Sequence, residues 1–169
     1  MLPSDRRFAL RMIPYGVHVV TALDAQNAPV AATTHWVTQT SFEPPLVMVA
    51  LKLGSPAYKA IRETNVFALH MLGREDAAEG LAFQRRPALH EGDTLSGWPY
   101  EVSKLTGLPL LGNAVAVLEL VVRAVLEVGD HHPLIAEVVE AHVRLPEQER
   151  PDRMMLHLHE LGEKIFYGG

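Results

Sequence analysis

The chain has 169 residues, 48% of them hydrophobic, with twelve glycines, twelve prolines and no cysteine. That is enough for one domain with a real core, and it excludes a disulfide-stapled miniprotein, a collagen-like repeat and thiol or iron–sulfur chemistry. Fifteen Lys and Arg stand against twenty Asp and Glu, a formal net charge of −5, and the arginines are dispersed, so a nucleic-acid binder is not expected.

The first segment, up to Ile13, predicts a helix: Phe8 and Met12 recur at helical spacing, Ser4 can cap the start and Pro14 ends it. It lacks the apolar stretch and cleavage site of a secretory signal. Tyr15 to Ala22 is β-prone, Asp24 to Pro29 supplies turn chemistry, and Val30 to Thr40 forms a second run, which together predict a hairpin. Leu46 to Leu53 is apolar throughout and reads as a strand covered on both faces. The longest apolar run lies here, far below the roughly 20 residues a membrane-crossing helix needs, so a soluble, cytoplasmic protein is the expectation.

Ser55-Pro56 joins an N-cap hydroxyl to a first-turn proline and predicts a helix from there to Glu63. Val66 to Leu72 reads as a strand, Arg74 to Arg85 as a helix, and Pro87 to Leu110, with three glycines, as a long irregular connection. Ala114 to Val128 and Leu134 to Leu145 are long β-rich runs around a predicted loop, Gly129 to Pro133, and Met155 to Leu161 predicts a last short strand. Strands outnumber helices without alternating with them, so the expected fold is mainly β: an antiparallel barrel with peripheral helices, in one domain over 1–169. No GxGxxG or GxxxxGK[ST] motif is present, which removes Rossmann and P-loop nucleotide sites.

Two segments carry the densest chemistry. Ala32 to Ser41 packs five hydroxyls, an imidazole, an amide and an indole into ten residues. Such an extended segment can offer donors to a planar heteroaromatic ligand, although threonine is also simply a good strand residue. Lys52-Leu53-Gly54-Ser55-Pro56 sets a cation and a hydroxyl at a helix N-terminus, a place for a phosphate monoester or merely a capped helix beside a solvated lysine. His131 and His132, with Asp130 able to fix a tautomer, can orient a substrate or be ordinary loop residues. His157 and His159 show metal-like spacing without a firm third ligand, so no metal site is assigned.

The order of these signals resembles a known family. Tyr15-Gly16-Val17, Val19-Val20-Thr21, the run Trp36 to Leu46 (WVTQTSFEPPL), Lys52 with Ser55, and Gly129-Asp130-His131 are similar to the flavin reductase-like proteins, flavoredoxins included, over nearly the whole chain from Phe8 onward. The resemblance implies a homodimer of Greek-key split β-barrels that binds FMN, or FAD, near the subunit interface, with NADH or NADPH as hydride donor and an oxygenase or other protein as electron acceptor. It implies an NAD(P)H:flavin oxidoreductase, with a flavoredoxin-type FMN electron carrier as the alternative. By position, Thr33, Thr34, His35, Trp36, Val37, Thr38 and Ser41 would contact the ring system and ribityl chain. Ala50, Leu51, Lys52, Ser55 and Tyr58 would hold the phosphate end, His131 would be the catalytic residue at the nicotinamide side, and Phe83 is a further cofactor candidate. This chain departs from relatives in carrying His35 where a small polar residue is usual and Ala136 where a glycine is common; the latter would add a methyl group near the nicotinamide.

Overall fold

A computed structural model describes residues 3–77, 83, 90–144 and 150–167. Helix α1 covers Pro3–Leu10, followed by strands β1 (His18–Leu23), β2 (Pro29–Thr34), β3 (Val37–Ser41) and β4 (Leu46–Lys52). Helix α2 (Pro56–Thr64) leads into β5 (Val66–Met71). Four short strands follow, β6 (His90–Glu91), β7 (Thr94–Leu95), β8 (Trp98–Val102) and β9 (Pro109–Leu111), then β10 (Ala116–Val125) and β11 (His131–Val143). Among the described residues no helix is long and apolar enough to cross a membrane.

Seven strands form one antiparallel sheet in the order β2-β1-β5-β10-β11-β4-β3. The expected second run from Val30 to Thr40 is therefore two strands, broken at His35-Trp36, and those two strands are opposite edges of the sheet. Edges joined by two residues force the sheet to curl until they approach, which makes the barrel. The seam is stitched where the Ala50 amide donates to the Trp36 carbonyl (3.0 Å) and the Thr34 hydroxyl donates to the Ala50 carbonyl (3.3 Å). The fold is thus the split β-barrel with few helices that the sequence predicts.

Inside the barrel, Val20, Val49, Phe67, Leu69, Leu120 and Leu134 form the main core. Helix α2 plugs one end with Ala57, Tyr58, Ala60 and Ile61, four buried residues at helical spacing. Its start is the predicted one: Pro56 opens the first turn and the Ser55 hydroxyl accepts the Tyr58 amide at 3.3 Å. Asn65, in the left-handed region at φ 58°, ends it by returning its amide to the Ile61 carbonyl. Burying a side chain such as Ile61 is worth about 2 kcal/mol.

The connection read as irregular is instead a small sheet, β6-β7-β8-β9, whose Gly92 and Gly97 take the positive φ that its tight turns need. It packs Leu95, Trp98 and Leu111 against Val17, Leu72, Leu156 and Phe83 in a second core cluster. Buried His70 locks the two sheets together: its Nδ1–H donates to the Val19 carbonyl (3.0 Å) and its Nε2 accepts the Leu111 amide (3.1 Å). That arrangement needs the neutral ring, and burial holds its pKa down at about 4. Arg74–Asp76 is a 3₁₀ turn, and the rest of the helix predicted to Arg85 lies almost wholly outside the described residues. The last predicted strand is two isolated bridges, at Met155 and His157, and a 3₁₀ turn over Leu158–Leu161.

Candidate functional site

Period-2 alternation along β4 separates two faces. Val47, Val49 and Leu51 enter the core, while Met48 and Ala50 line an open cleft of about 580 Å³, and Lys52 follows them on the same face, exposed. The neighbouring strand β11 does the same: His131 and Pro133 line the cleft, whereas Leu134 and Ala136 are core. Register sets His131 opposite Lys52 and Pro133 opposite Ala50. From the other side β3 adds Val37 and Thr38, with Thr38 opposite Met48. The seam contributes His35 and Trp36, and Leu10, Ile13, Pro14 and Tyr15 form the outer wall.

Histidines 131 and 132 belong to the strand, not to a loop as the glycine before them suggests. The strand runs through Pro133 because that residue's carbonyl, and hence its missing N–H, faces β10 just beyond the first paired residues there; the carbonyl accepts the Leu126 amide at 2.9 Å. Being adjacent on a strand, the two imidazoles point to opposite faces and cannot share a ligand. His157 and His159 stack on each other, ring centroids 5.7 Å apart, and among the described residues no group of three or more His, Asp or Glu is placed to hold a metal.

The cleft holds an aromatic cluster. The Trp36 ring lies 4.6 Å from His131 and 6.4 Å from Tyr15, centroid to centroid. Tyr167 meets His35 at 4.8 Å, Trp36 at 5.3 Å and His131 at 5.8 Å. Asp130 accepts the His131 Nδ1–H at 2.9 Å, the tautomer-fixing role read from the sequence. That hydrogen bond, with the Lys52 cation nearby, holds the Asp130 carboxyl below its ordinary range. His35 is buried, with Nδ1 3.2 Å from the Gly16 carbonyl, and burial lowers its pKa. The Trp36 Nε1 is buried and has no hydrogen-bond partner among the described residues.

The sequence-predicted site residues thus divide. His35, Trp36, Val37, Thr38, Ala50 and His131 meet at one cleft and Lys52 shares its face. Thr33 and Thr34 end β2, where Thr34 serves the seam. Ser41 lies at the far end of β3 beyond a register shift and off the cleft lining. The Leu51 side chain is core. Ser55 caps its own helix, and Tyr58 points inward, its hydroxyl 2.7 Å from His132 Nδ1. Phe83 packs edge-on against Trp98 (5.9 Å) in the second cluster, away from the cleft. Ala136 also faces the core, so the expectation that its methyl borders the nicotinamide is corrected. Sequence reasoning missed Tyr15, Met48, Pro133 and Tyr167. Met48 and Pro133 were legible by counting two from Ala50 and His131, but no local signal marks Tyr167.

A curled antiparallel sheet with an aromatic-lined cleft at its seam defines the split-barrel class of protein. The flavin reductase-like domain matches residues 10–161, and the chain belongs to that family. It is 32% identical to the NADH:riboflavin 5′-phosphate oxidoreductase of Streptomyces pristinaespiralis over 82% of this chain and 76% of that one. It is 33% identical to the flavin reductase (NADPH) of Lentzea aerocolonigenes over 81% and 78%. Among solved structures it is similar to the styrene monooxygenase flavin reductase of Pseudomonas putida S12, with a TM-score of 0.71 and 26% identity, covering 83% of this chain and 87% of that one.

Proposed function

We propose that this chain is an NAD(P)H-dependent flavin reductase that takes FMN, with FAD as the second candidate, into the seam cleft. The observation that carries the reading is one continuous face: the apolar floor Met48-Ala50-Pro133, the Trp36 ring at its edge and the Lys52 cation at its end, opposite His131. A planar ring system suits the floor, and about 580 Å³ lies within the range of small-molecule sites. The orphaned Trp36 N–H is a buried donor awaiting an acceptor on such a ring's rim. Family membership and the names of the relatives support the same chemistry.

When bound, a flavin supplies a hydride-accepting ring, and a dihydronicotinamide supplies the hydride. The residues of this chain then have positional work. Met48, Ala50 and Trp36 hold one plane and exclude water, and Lys52 pairs with a phosphate dianion. His131, fixed by Asp130, orients the nicotinamide at the open side. No side chain has to move a proton for hydride transfer itself. Exposed Leu10 and Ile13 on the cleft wall, with exposed Phe8 and Met12 on the same N-terminal segment, support a second copy covering the cleft as a homodimer. Likeness to a monooxygenase's flavin reductase supports an oxygenase as the consumer of reduced flavin.

The test is an FMN titration followed by flavin fluorescence, then steady-state oxidation of NADH and of NADPH with FMN, FAD and riboflavin. Quenching with turnover is the expected outcome; no nicotinamide oxidation with any flavin would overturn it. Flavin kept through dialysis, with slow pyridine-nucleotide oxidation, would mark an electron carrier instead.

A further inference from the structure

His131 has two ring nitrogens, and in this structure both are engaged. Asp130 takes the Nδ1–H at 2.9 Å, so Nε2 carries the lone pair, and the Tyr167 hydroxyl donates to it at 2.6 Å. Thirty-six residues separate that pair in the chain. The same tyrosine ring lies against His35, Trp36 and His131, the aromatic groups to which a planar heterocycle entering the cleft would come.

We propose that Tyr167 is a gate on His131, which a nicotinamide must displace before the imidazole can meet it. The inference rests on the reductase reading above and names the residue that regulates access to that site. Tyr167 acts through His131 and is a positioning residue.

The attachment of the segment after Gly162 suits a gate. Gly162 sits at φ 139°, a conformation that side chains rarely adopt, and the Ile165 amide turns back to its carbonyl at 3.0 Å. Phe166 lies under the Arg11 guanidinium, 4.4 Å from its ring centre, and is itself about half exposed. None of residues 163–167 belongs to a core cluster, so the segment swings outward at the expense of the Arg11–Phe166 cation–π contact, the His131 hydrogen bond and the three ring contacts of Tyr167 rather than of the barrel. Burial and the Asp130 charge push the Tyr167 hydroxyl pKa up, so the group stays a donor through the neutral range. Arg11 adjoins α1, whose end walls the cleft, so opening the gate widens the cleft on that side.

Two variants test it. Tyr167→Phe removes the hydrogen bond and keeps the ring; Tyr167→Ala removes both. The expected result is a KM for the dihydronicotinamide lowered about threefold by Phe and about tenfold by Ala, the size of one hydrogen bond and then of added ring contacts. In the Phe variant, which keeps the ring against Trp36, the affinity for FMN should change less than twofold. Independently of turnover, 3-fluorotyrosine at position 167 should show a ¹⁹F shift displaced by the three surrounding rings. Adding a tetrahydronicotinamide dinucleotide, which binds without yielding hydride, should move that shift toward the value of free fluorotyrosine.

A raised KM with lowered kcat in the Ala variant would make Tyr167 a wall of the binding site and overturn the gate. So would an unchanged KM, or a fluorine signal that the dinucleotide leaves in place. If instead the unaltered chain neither quenches FMN nor oxidises a nicotinamide, the reductase reading falls and takes the gate with it. The FMN titration and the KM comparison separate these two failures.

Discussion

Histidines 131 and 132 are joined by one peptide bond and live in different solvents. His131 faces the cleft among Trp36, Tyr167 and Asp130, while His132 faces the core, where Tyr58 meets it and Arg62 reaches the same hydroxyl at 3.2 Å on its way to Glu127 at 2.7 Å. The difference is the pleat: a strand gives alternate residues to alternate faces whatever their chemistry. One strand therefore carries a site on one side and the barrel's packing on the other. Substitutions at neighbouring numbers should fall into two classes, those that change stability and those that change binding.

The largest expected effect is acid sensitivity, carried mainly by two buried histidines of the packed side. His18 and His70 are buried neutral with pKa values of about 4, against an ordinary 6.5, and burial is the main cause for each. An unfolded chain takes up those protons as pH falls through 6.5 and the folded chain does not. Stability is therefore full above pH 6.5, declines as pH drops and levels off below 4, with about 3 kcal/mol lost for each histidine. Urea denaturation across pH 7 to 4 checks the slope; replacing His70 with Gln should flatten it. A flat profile in the unaltered protein would mean that these rings are not held neutral.

Next in size, Leu134→Ala on the core face of β11 should cost about 3 kcal/mol by urea denaturation. His131→Ala, three residues away on the cleft face, should cost under about 1 kcal/mol while impairing nicotinamide use. Equal stability losses would erase the distinction between the faces. Lys52→Ala sharpens the same contrast from the β4 side: FMN affinity should fall about tenfold while riboflavin, which lacks the phosphate, is hardly affected, as read by flavin fluorescence. Equal loss for both would move Lys52 away from the phosphate. Smallest, Tyr58→Phe should cost about 1 kcal/mol of stability by leaving His132 Nδ1 unpaired, with KM for the nicotinamide unchanged.

How much of this was legible in the sequence follows from the range of the forces involved. Local chemistry was readable: Ser55-Pro56 starts α2, and the runs read over Val66 to Leu72 and Ala114 to Val128 contain β5 (Val66–Met71) and β10 (Ala116–Val125), because β-branched side chains suit a pleated surface. The break at His35-Trp36 was not, since Val30 to Thr40 is continuously β-prone and only pairing with β1 on one side and β4 on the other divides it. Two-residue strands such as β6 and β7 bury too little to leave a pattern. In the candidate site, the seam and β4 residues were found because motif and strand coincide there. Phe83 and Tyr58 were assigned to the ligand from position alone, and their packing shows that an aromatic ring near a site in sequence is drawn to whichever apolar volume it can fill. Tyr167 needed the folded chain, because its partner is thirty-six residues away.

The seam has one more implication, for how the barrel breathes. Strands β10 and β11 pair along most of their length, whereas β2 and β4 are stitched at Thr34, Trp36 and Ala50. Thermal opening should begin at the weaker stitching, so the Ala50 amide should exchange its hydrogen for deuterium well before those of Leu120 or Leu134. Such an excursion parts the cleft's own flanks while the opposite wall stays shut, giving the molecule a mouth that can gape without the protein unfolding.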